Sequence, residues 1–587
     1  MHGRNAFDIK ADVLIIGSGP AGSTAAALLS SYGISNIVVN NYNWLANTPR
    51  AHITNQRSLE IFRDLGIEHE VKALAVQQEW MGNNVFCTSL AGEEIGRLKS
   101  WGTHPLRLAD YTLASPTSIC DIPQTLLEPI IMAKAARGGS QYRFNTEYLS
   151  HAQDAEGVTA TVLDKTSGAT YQIRAAYMIG ADGANSRVAK NLNLPFEGKM
   201  GIGGNINIVC NMDLSQYVAH RPSTLYWVLQ PGSNIGGIGM GLVRMVRPWH
   251  KWLIVWGYDI AQEAPKVTDE MAKQIVRNLI GNPDLDVEIE SASAWTTNQC
   301  YATTLYDGRV FCAGDAVHRH PPSNGLGSNT SVQDAFNLCW KLALVLKGKA
   351  HSALLHTYQE ERAPVAKQIV NRANKSITDT APIFDALGLN ESFDTGQMQQ
   401  NMERRKEASA EAEEQREKLR QAIAYKSYEF NCHGVELNQR YKSEAVIADE
   451  TPEPVYIRDE ELYYQATSRP GAHLPHVWIG KNGHQLSVLD VCGKGKFTLL
   501  TGIGGEQWMH EAIQVAEKAG MPITIVQIGA GRIYTDIYGD WAKAREIRDS
   551  GCLLVRPDFH IAFRAQSSDE YSPGILENAL LAILGWK

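Results

Sequence analysis

The chain has 587 residues, 44% of them hydrophobic, and a formal net charge of -8 at pH 7. That length exceeds one hydrophobic core and predicts two or three domains, while the acidic balance leaves no basic face for a phosphate backbone and excludes nucleic acid as an expected partner. Nine cysteines stand singly, without C-x-x-C or zinc-type spacing, so reduced thiols and no metal are expected.

The opening MHGRNAFDIKADVLIIG enters a strand without the apolar segment and cleavage site of a secretion signal. No apolar run approaches the ~18 residues of a spanning helix. A soluble cytoplasmic enzyme with no membrane partner is the expectation. The strand Val13 to Ile16 meets Gly17, Gly19 and Gly22 at G-x-G-x-x-G spacing, with Pro20 and Ala21 opening an Ala-rich helix and a second strand at Asn36 to Val39. Gly17 permits a tight turn, Gly19 lets backbone approach a pyrophosphate, and Gly22 lets the helix pack closely on the sheet. The anion then lies at the positive helix end. Where such units place Asp or Glu to hold the ribose, this chain has Asn40 and Asn41, which accept a hydrogen bond without charge assistance.

Further along, YMIGADGANSRVAKNLNL sets Asp182 in a turn after a strand, with Arg187 opening a helix. Residues 200 to 300 carry TLYWVLQPGSN and KWLIVWGYD, which alternate like strands of a mixed sheet. Tyr226, Trp227 and Trp256 are candidates for a substrate wall, with core packing as the alternative for each. GSNIGGIGMG, residues 232 to 241, has the wrong spacing for a second nucleotide site and is expected to make a strand turn. Then GRVFCAGDAVHRHPPSNGLGSNTSVQDAFNLCWKLALVLKGKA gives a strand ending at Gly314-Asp315, a Pro/Gly-rich loop and a long helix. Asp315 at a strand end in an α/β sheet can accept two hydroxyl donors. Pro321, Pro322, Gly325 and Gly327 form a rigid surface suited to a flat ring, with Ser328 following, and Asn329 and Thr330 are candidate caps for the helix. Trp340 and Leu338 are read as core.

Residues 398 to 430, rich in helix formers and mixed charge, read as one solvated connecting helix, and DETPEPVY marks a boundary. The segments from LPHVWIG onward read as β, α, β, β. Cys492 stands alone where disulfide chemistry would need a second cysteine.

The ordered GxGxxG, DG and GD motifs, with PRAHITNQRSLE, resemble the single-component FAD-dependent aromatic hydroxylases, in the phenol hydroxylase family and nearest its dichlorophenol-hydroxylating branch. The resemblance spans nearly the whole chain. It implies an α/β fold, with a Rossmann-like FAD-binding domain over 1–390 interleaved with a substrate-binding mixed β-sheet (about 80–120 and 200–300). A helical connector over 391–450 and a thioredoxin-like domain over 451–587 follow, the last structural or subunit-contacting. FAD would bind with its pyrophosphate at Gly17 and its ribityl chain on Asp315. Gln124 matches the family glutamine near the flavin and Arg50 the arginine of the PR loop, while Asp182 and Arg187 belong to a motif serving both FAD and a transient NADPH or NADH. With O2, a flavin C4a-hydroperoxide would hydroxylate a substituted phenol ortho to its hydroxyl, and a homodimer or higher homo-oligomer is expected. Alternatives are the same chemistry on a larger aromatic of secondary metabolism, or a non-catalytic flavin-binding sensor or assembly protein. A flavin halogenase is disfavoured, because W-x-W-x-I-P is missing.

In related phenol hydroxylases an aspartate five positions before the RT(L/M)E helix is the base for the substrate hydroxyl. Counting back from Arg57, that position is His52, so an imidazole takes the role here. Proton transfer from a phenol of pKa ~10 to a histidine of ~6.5 is uphill by about 4.8 kcal/mol, which favours a phenol acidified by chlorine or a similar group. The bland alternative is a loop histidine that bonds backbone and holds the flavin's edge.

Overall fold

The computed structural model describes residues 9–232 and 241–587. GSNIGGIGMG lies outside the described residues except for its two end glycines. Lys10–Ile16 (β1), fully buried from Val13 onward, leads through the glycine turn into Pro20–Ser31 (α1), and Asn36–Val39 (β2) returns parallel to β1 with Leu14 beside Ile37. Ile53–Thr54 (β3) enters Gln56–Asp64 (α2), which Asn55 caps by accepting the Ser58 N–H at 3.0 Å. Cys120–Asp121 (β4) pairs antiparallel with β3 and runs into Gln124–Arg137 (α3). Gln141–Arg143 (β5) and Thr170–Gly180 (β6) then complete a parallel array in the order Val310–Cys312, β6, β1, β2, β5. Its strands end on one edge, which places Gly17, Asn40, Asp182 and Asp315 around the crevice where open α/β sheets bind ligands.

The second sheet is built from Phe196–Asn211 (β7), Leu225–Val228 (β8), Gly241–Arg247 (β9), Lys251–Tyr258 (β10) and Glu288–Ala302 (β11). Its order is His318–Arg319, β11, β7, β10, β9, β8, Asn83–Cys87, Glu94–Lys99, with β8 parallel to Asn83–Cys87 and the other pairs antiparallel. Directly paired residues share a face, and faces alternate along each strand. Arg244 faces Leu225 and Leu253, and the same side carries Trp227, Leu242, Val255, Asn207, Asn205 and Thr297. Tyr226 and Trp256 fall on the opposite face. The polypeptide then re-enters the first sheet through Val310–Cys312 (β12), followed by Gly327–Leu346 (α4) and Thr357–Thr378 (α5).

The single helix expected over 398–430 is broken into Thr395–Arg404, Ala410–Tyr425 and Ser427–Phe430. Ser409 accepts the Ala412 N–H at 3.1 Å and starts the second segment, and a narrow stripe of Leu419, Ala422 and Ile423 buries it against the second sheet's core. Mixed charge therefore conceals a packed helix, because two turns need only a few apolar residues on one side.

The C-terminal region holds Phe497–Thr501 (β13), Glu506–Ala519 (α6), Ile523–Gln527 (β14), Cys552–Val555 (β15) and Ile561–Ala565 (β16). The sheet order is β14, β13, β15, β16, with β13 and β14 parallel and the rest antiparallel. All nine cysteines are buried and free, Cys492 among them. This sheet shares a core with α4, as Trp340 meets Phe497 edge-on at 5.7 Å and Phe336 meets Phe559 at 5.4 Å. Between them lies a buried ion cluster. Arg556 donates to Glu361 (2.5 and 2.9 Å) and to Asp558 (3.0 and 2.6 Å), and Lys341 donates to Glu361 at 2.7 Å. Burial pulls the Lys341 ammonium down to about 8, against the opposing pull of Glu361. Two cations and two carboxylates balance, so each depends on the others. Replacing Arg556 with Met leaves two buried carboxylates with one cation between them; urea unfolding is expected to show a loss of about 3–5 kcal/mol. A variant as stable as the parent would mean that the cluster does not bind the C-terminal sheet to α4.

Candidate active site

The glycine turn has the shape its spacing predicts. Gly17 has φ +101°, and a Cβ there would lie 2.2 Å from the Ala181 carbonyl; one on Gly22 would lie 2.0 Å from the Gly17 carbonyl. Neither position tolerates a side chain. Gly19 differs, because its added Cβ would meet nothing nearer than Glu128 Oε1 at 3.9 Å. The space in front of Gly19 is open, no side chain caps α1, and Pro20 and Ala21 begin the helix there. An anion can approach these helix-end N–H groups directly. Beneath lies Glu128, 1% exposed, which accepts the Ala46 N–H at 2.8 Å and is bonded by Gln124; burial raises its pKa. Asn40 donates to the Trp44 carbonyl at 2.9 Å, so its Nδ2 holds the loop. Arg50 is exposed and bonds Thr48 at 3.1 Å, and its carbonyl accepts the Gln124 N–H at 2.9 Å.

The β12 end builds the facing wall. Asp315 is exposed in the 3-10 turn Gly314–Ala316, just past the end of β12. Gly314 (φ +66°) has no room for a Cβ, which would lie 2.8 Å from Ser331 Oγ, and one on Gly325 (φ +62°) would lie 2.9 Å from Ile53 Cβ. Asp334, not singled out by the sequence reading, anchors this loop. It accepts the Gly314 N–H at 3.0 Å, faces His318 Nε2 at 2.8 Å, and receives Arg362 Nε at 2.8 Å. Burial alone would raise its pKa, but Arg362 and His318 hold it below the ordinary carboxylate value. The Pro322, Gly327 and Ser328 segment lies on this wall, with α4 starting at Gly327 and no side-chain cap.

Two expected roles change. Asn329 does not cap α4, which starts two residues earlier; its Oδ1 accepts the Asn55 N–H at 3.0 Å and its Nδ2 donates to the Ile53 carbonyl at 2.8 Å. It is a clamp between the loop and β3. Asp182 is spent on its own helix, accepting the Arg187 and Val188 N–H groups at 2.8 and 3.2 Å, and Arg187 pairs with Glu147 at 2.5 Å. The Asp182 carboxylate is thus occupied, whereas Arg187, 54% exposed, uses only Nη1 in its bonds to Glu147 and the Tyr148 carbonyl. The wall candidates divide by sheet parity. Trp227 stays, 6% exposed, stacked on Phe86 at 5.9 Å. Tyr226 and Trp256 are removed, since their side chains leave the sheet on the far face; Tyr226 bonds the Arg221 carbonyl at 3.0 Å.

His52 lies where the two walls and the second sheet meet. The β3/β4 pairing sets it beside Asp121, with Nδ1 3.3 Å from Oδ1, and Arg244 Nη2 reaches the other oxygen of Asp121 at 2.6 Å. All three are buried, Asp121 completely. Burial, then Arg244, lowers the His52 pKa against the opposing pulls of Asp121 and of the Pro49 backbone. For Asp121 burial pulls upward, yet Arg244 and His52 win and hold it ionised. The result is a neutral imidazole whose Nδ1–H faces a carboxylate. Its Nε2 is buried with no hydrogen-bond partner among the described residues. Such an orphaned acceptor is costly unless something donates to it.

Comparison with known proteins now decides the family. Residues 10–373 match the FAD binding domain family and residues 467–586 the aromatic-ring hydroxylase C-terminal family. The chain belongs to the FAD-dependent aromatic-ring hydroxylases. It is 55% identical to 2,4-dichlorophenol 6-monooxygenase of Cupriavidus pinatubonensis (strain JMP 134 / LMG 1197), over 99% of this chain and 97% of that one. It is 52% identical to phenol 2-monooxygenase of a Pseudomonas species (strain EST1001), over 95% of this chain and 90% of that one. The crystal structure of the flavin-dependent monooxygenase PieE with FAD and substrate superposes with a TM-score of 0.95 at 43% identity, covering 99% of this chain and 100% of that one.

The hydroxylase crevice fits FAD on its own geometry. The open space at Gly19 would take the pyrophosphate and the Asp315 carboxylate the ribityl hydroxyls, while the side-chain-poor loop from Pro322 to Gly327 leaves room for a flat ring. Gly19→Val is therefore expected to fold with an unchanged far-ultraviolet CD spectrum yet bind FAD more than tenfold more weakly, measured by flavin fluorescence titration. Unaltered FAD affinity would remove the pyrophosphate from that turn.

Proposed function

We propose that the chain hydroxylates a substituted phenol ortho to its hydroxyl, consuming NAD(P)H and O2, with His52 as the base that ionises the phenol. The reading is supported by two relatives above 50% identity that act on dichlorophenol or phenol by name. The observation that carries it is the unpartnered Nε2 of His52 beside an anionic Asp121. The redox chemistry would be supplied by FAD, held at the Gly17 turn and Asp315: hydride acceptance from NAD(P)H and activation of O2, one oxygen atom going to the ring and the other to water.

The protein's own residues prepare that ring. A phenolate is far more electron-rich than a phenol, so removing the hydroxyl proton is the step that the side chains must accomplish. Asp121 fixes the tautomer with the proton on Nδ1, leaving the Nε2 lone pair for the phenol O–H. Once the proton moves, the imidazolium is stabilised by Asp121, and Arg244 nearby favours the new phenolate. The lowered pKa of His52 makes the base weaker, which selects for acidic phenols; chlorine substituents lower the proton-transfer cost. Trp227, Leu242 and Val255 on the Arg244 face give an apolar wall for such substituents.

Asp315, Gln124 and the Gly17 turn are assigned to FAD. The C-terminal region is proposed as a thioredoxin-like unit over 451–587, supported by its strand order and directions. It follows an FAD-binding region over 1–390, with the substrate sheet interleaved, and a connector over 391–450. A homodimer or larger homo-oligomer and a cytoplasmic location complete the reading; no described helix is long and apolar enough to cross a membrane.

His52→Ala is expected to slow single-turnover hydroxylation about 10²–10⁴-fold at a pH where the phenol is un-ionised, with the deficit shrinking as pH rises through the phenol's own pKa. Because burial lowers the His52 pKa, wild-type activity is retained below pH ~6.5 before the imidazole protonates. Parallel pH profiles for the two proteins would exclude the base role.

A further inference from the structure

A half-open cavity of about 360 Å³ lies between the C-terminal half of α5 and the strand pair β7 and β11, away from His52 and the glycine turn. Ile202, Thr297, Gln299, Asn374, Ile377 and Thr378 are among its walls. One buried carbonyl oxygen marks it. Asn374, 8% exposed, donates Nδ2 to the Val370 carbonyl at 2.7 Å, and its Oδ1 has no hydrogen-bond partner among the described residues. Asn205 is not one of the lining residues; fully buried, it donates Nδ2 to the wall residue Thr297 at Oγ1, 2.9 Å away, and so fixes that wall. A buried acceptor without a donor costs about 1–3 kcal/mol, so the cavity invites a ligand that brings an O–H or N–H.

The rest of the wall narrows the chemistry. No carboxylate among the described residues lines it, and the rim cation Lys375 is already engaged with the Tyr425 hydroxyl at 3.1 Å and Asp379 at 3.4 Å. An anion would meet the lone pairs of Asn374 with no free positive charge to offset them. Ile202 and Ile377 offer apolar contact on either side. The volume holds a substituted benzene ring comfortably. A neutral aromatic ring bearing a hydroxyl meets each of these terms.

Position adds a second argument. Thr297 and Asn205 stand on the same face of the second sheet as Arg244, joined through Asn207, Val255 and Leu253 across paired strands. The face that borders the cavity is thus continuous with the face that meets Asp121 and His52. Resting on the phenol reading given above, we propose that this cavity is an outer subsite that holds the un-ionised phenol, its hydroxyl donating to Asn374 Oδ1, before the ring passes along the sheet to His52. The outer subsite has no base, so the proton is kept until the inner site. Acceptor chemistry outside and base chemistry inside give the two positions opposite preferences for protonation state.

The test uses FAD-loaded protein without NAD(P)H and 4-fluorophenol as the probe, at pH 7, where a phenol of pKa ~10 is un-ionised. Two readouts are followed together: fluorine NMR for every bound ring, and flavin absorbance for the ring beside the cofactor. The wild type is expected to show two bound populations, only one of which perturbs the flavin. Asn374→Leu, which removes the acceptor, and Thr378→Trp, which fills the cavity from α5, should each abolish the other population. The rate at which the flavin-perturbing ring binds should fall about tenfold in stopped flow. A single population in the wild type that perturbs the flavin, or two populations retained in both variants, overturns the outer subsite. A wild type that shows the outer population but no flavin perturbation overturns the phenol-hydroxylation reading and leaves the subsite standing.

Discussion

The account turns on one buried carboxylate, Asp121, held between an imidazole and a guanidinium. Taking a carboxylate completely out of water is costly, and here Arg244 at 2.6 Å and His52 at 3.3 Å offset the cost from opposite sides. Because Arg244 already supplies a full positive charge, His52 is not required to carry one. The histidine can stay neutral beside an anion, an arrangement that would otherwise drive protonation. A base that must accept a proton from a weak acid needs this state to be its resting one.

That arrangement depends on two separate pieces of architecture meeting. The short β3/β4 pairing fixes His52 against Asp121, and the second sheet presents Arg244 from β9. The loop after β12 is pressed onto β3 by Gly325, which has no room for a side chain, and is tied there by Asn329. Asp334 holds the base of the same loop and connects through Arg362 to α5. Alongside, the Glu361 and Arg556 cluster fastens the C-terminal sheet to α4 and α5. The geometry of the site is therefore supported by buried polar contacts rather than by apolar packing alone, and each contact spans elements distant in sequence.

This explains what the sequence could disclose. Gly17, Gly19 and Gly22 were legible because the turn they make is local, and Asp315 because a strand followed by a Pro/Gly-rich loop places it at a strand end. His52 was legible from its distance to a helix start. Asp121 and Arg244 were not, since Asp121 meets His52 across 69 residues and Arg244 meets Asp121 across 123, and both meetings follow from strand pairing. The signal existed in part: Asp121 is three residues before Gln124, and Arg244 is the one charge inside the apolar run GLVRM. The aromatic wall was half legible. Tyr226 and Trp227 are adjacent, so they must leave a strand on opposite faces, but a sheet buried on both sides hides which face matters. Asp182 and Asn329 show the reverse failure, in which motif residues make hydrogen bonds that the spacing does not reveal, local ones for Asp182 and ones to Ile53 of β3 and to Asn55 for Asn329.

The central claim is a protonation state, and nitrogen-15 NMR of histidine-labelled, FAD-loaded protein reads it directly. At pH 7 without substrate, His52 is predicted to be neutral with its proton on Nδ1, so that Nε2 shows the shift of an unprotonated ring nitrogen and moves when a phenol binds. A charged His52 at that pH, or a neutral ring with the proton on Nε2, would contradict the account.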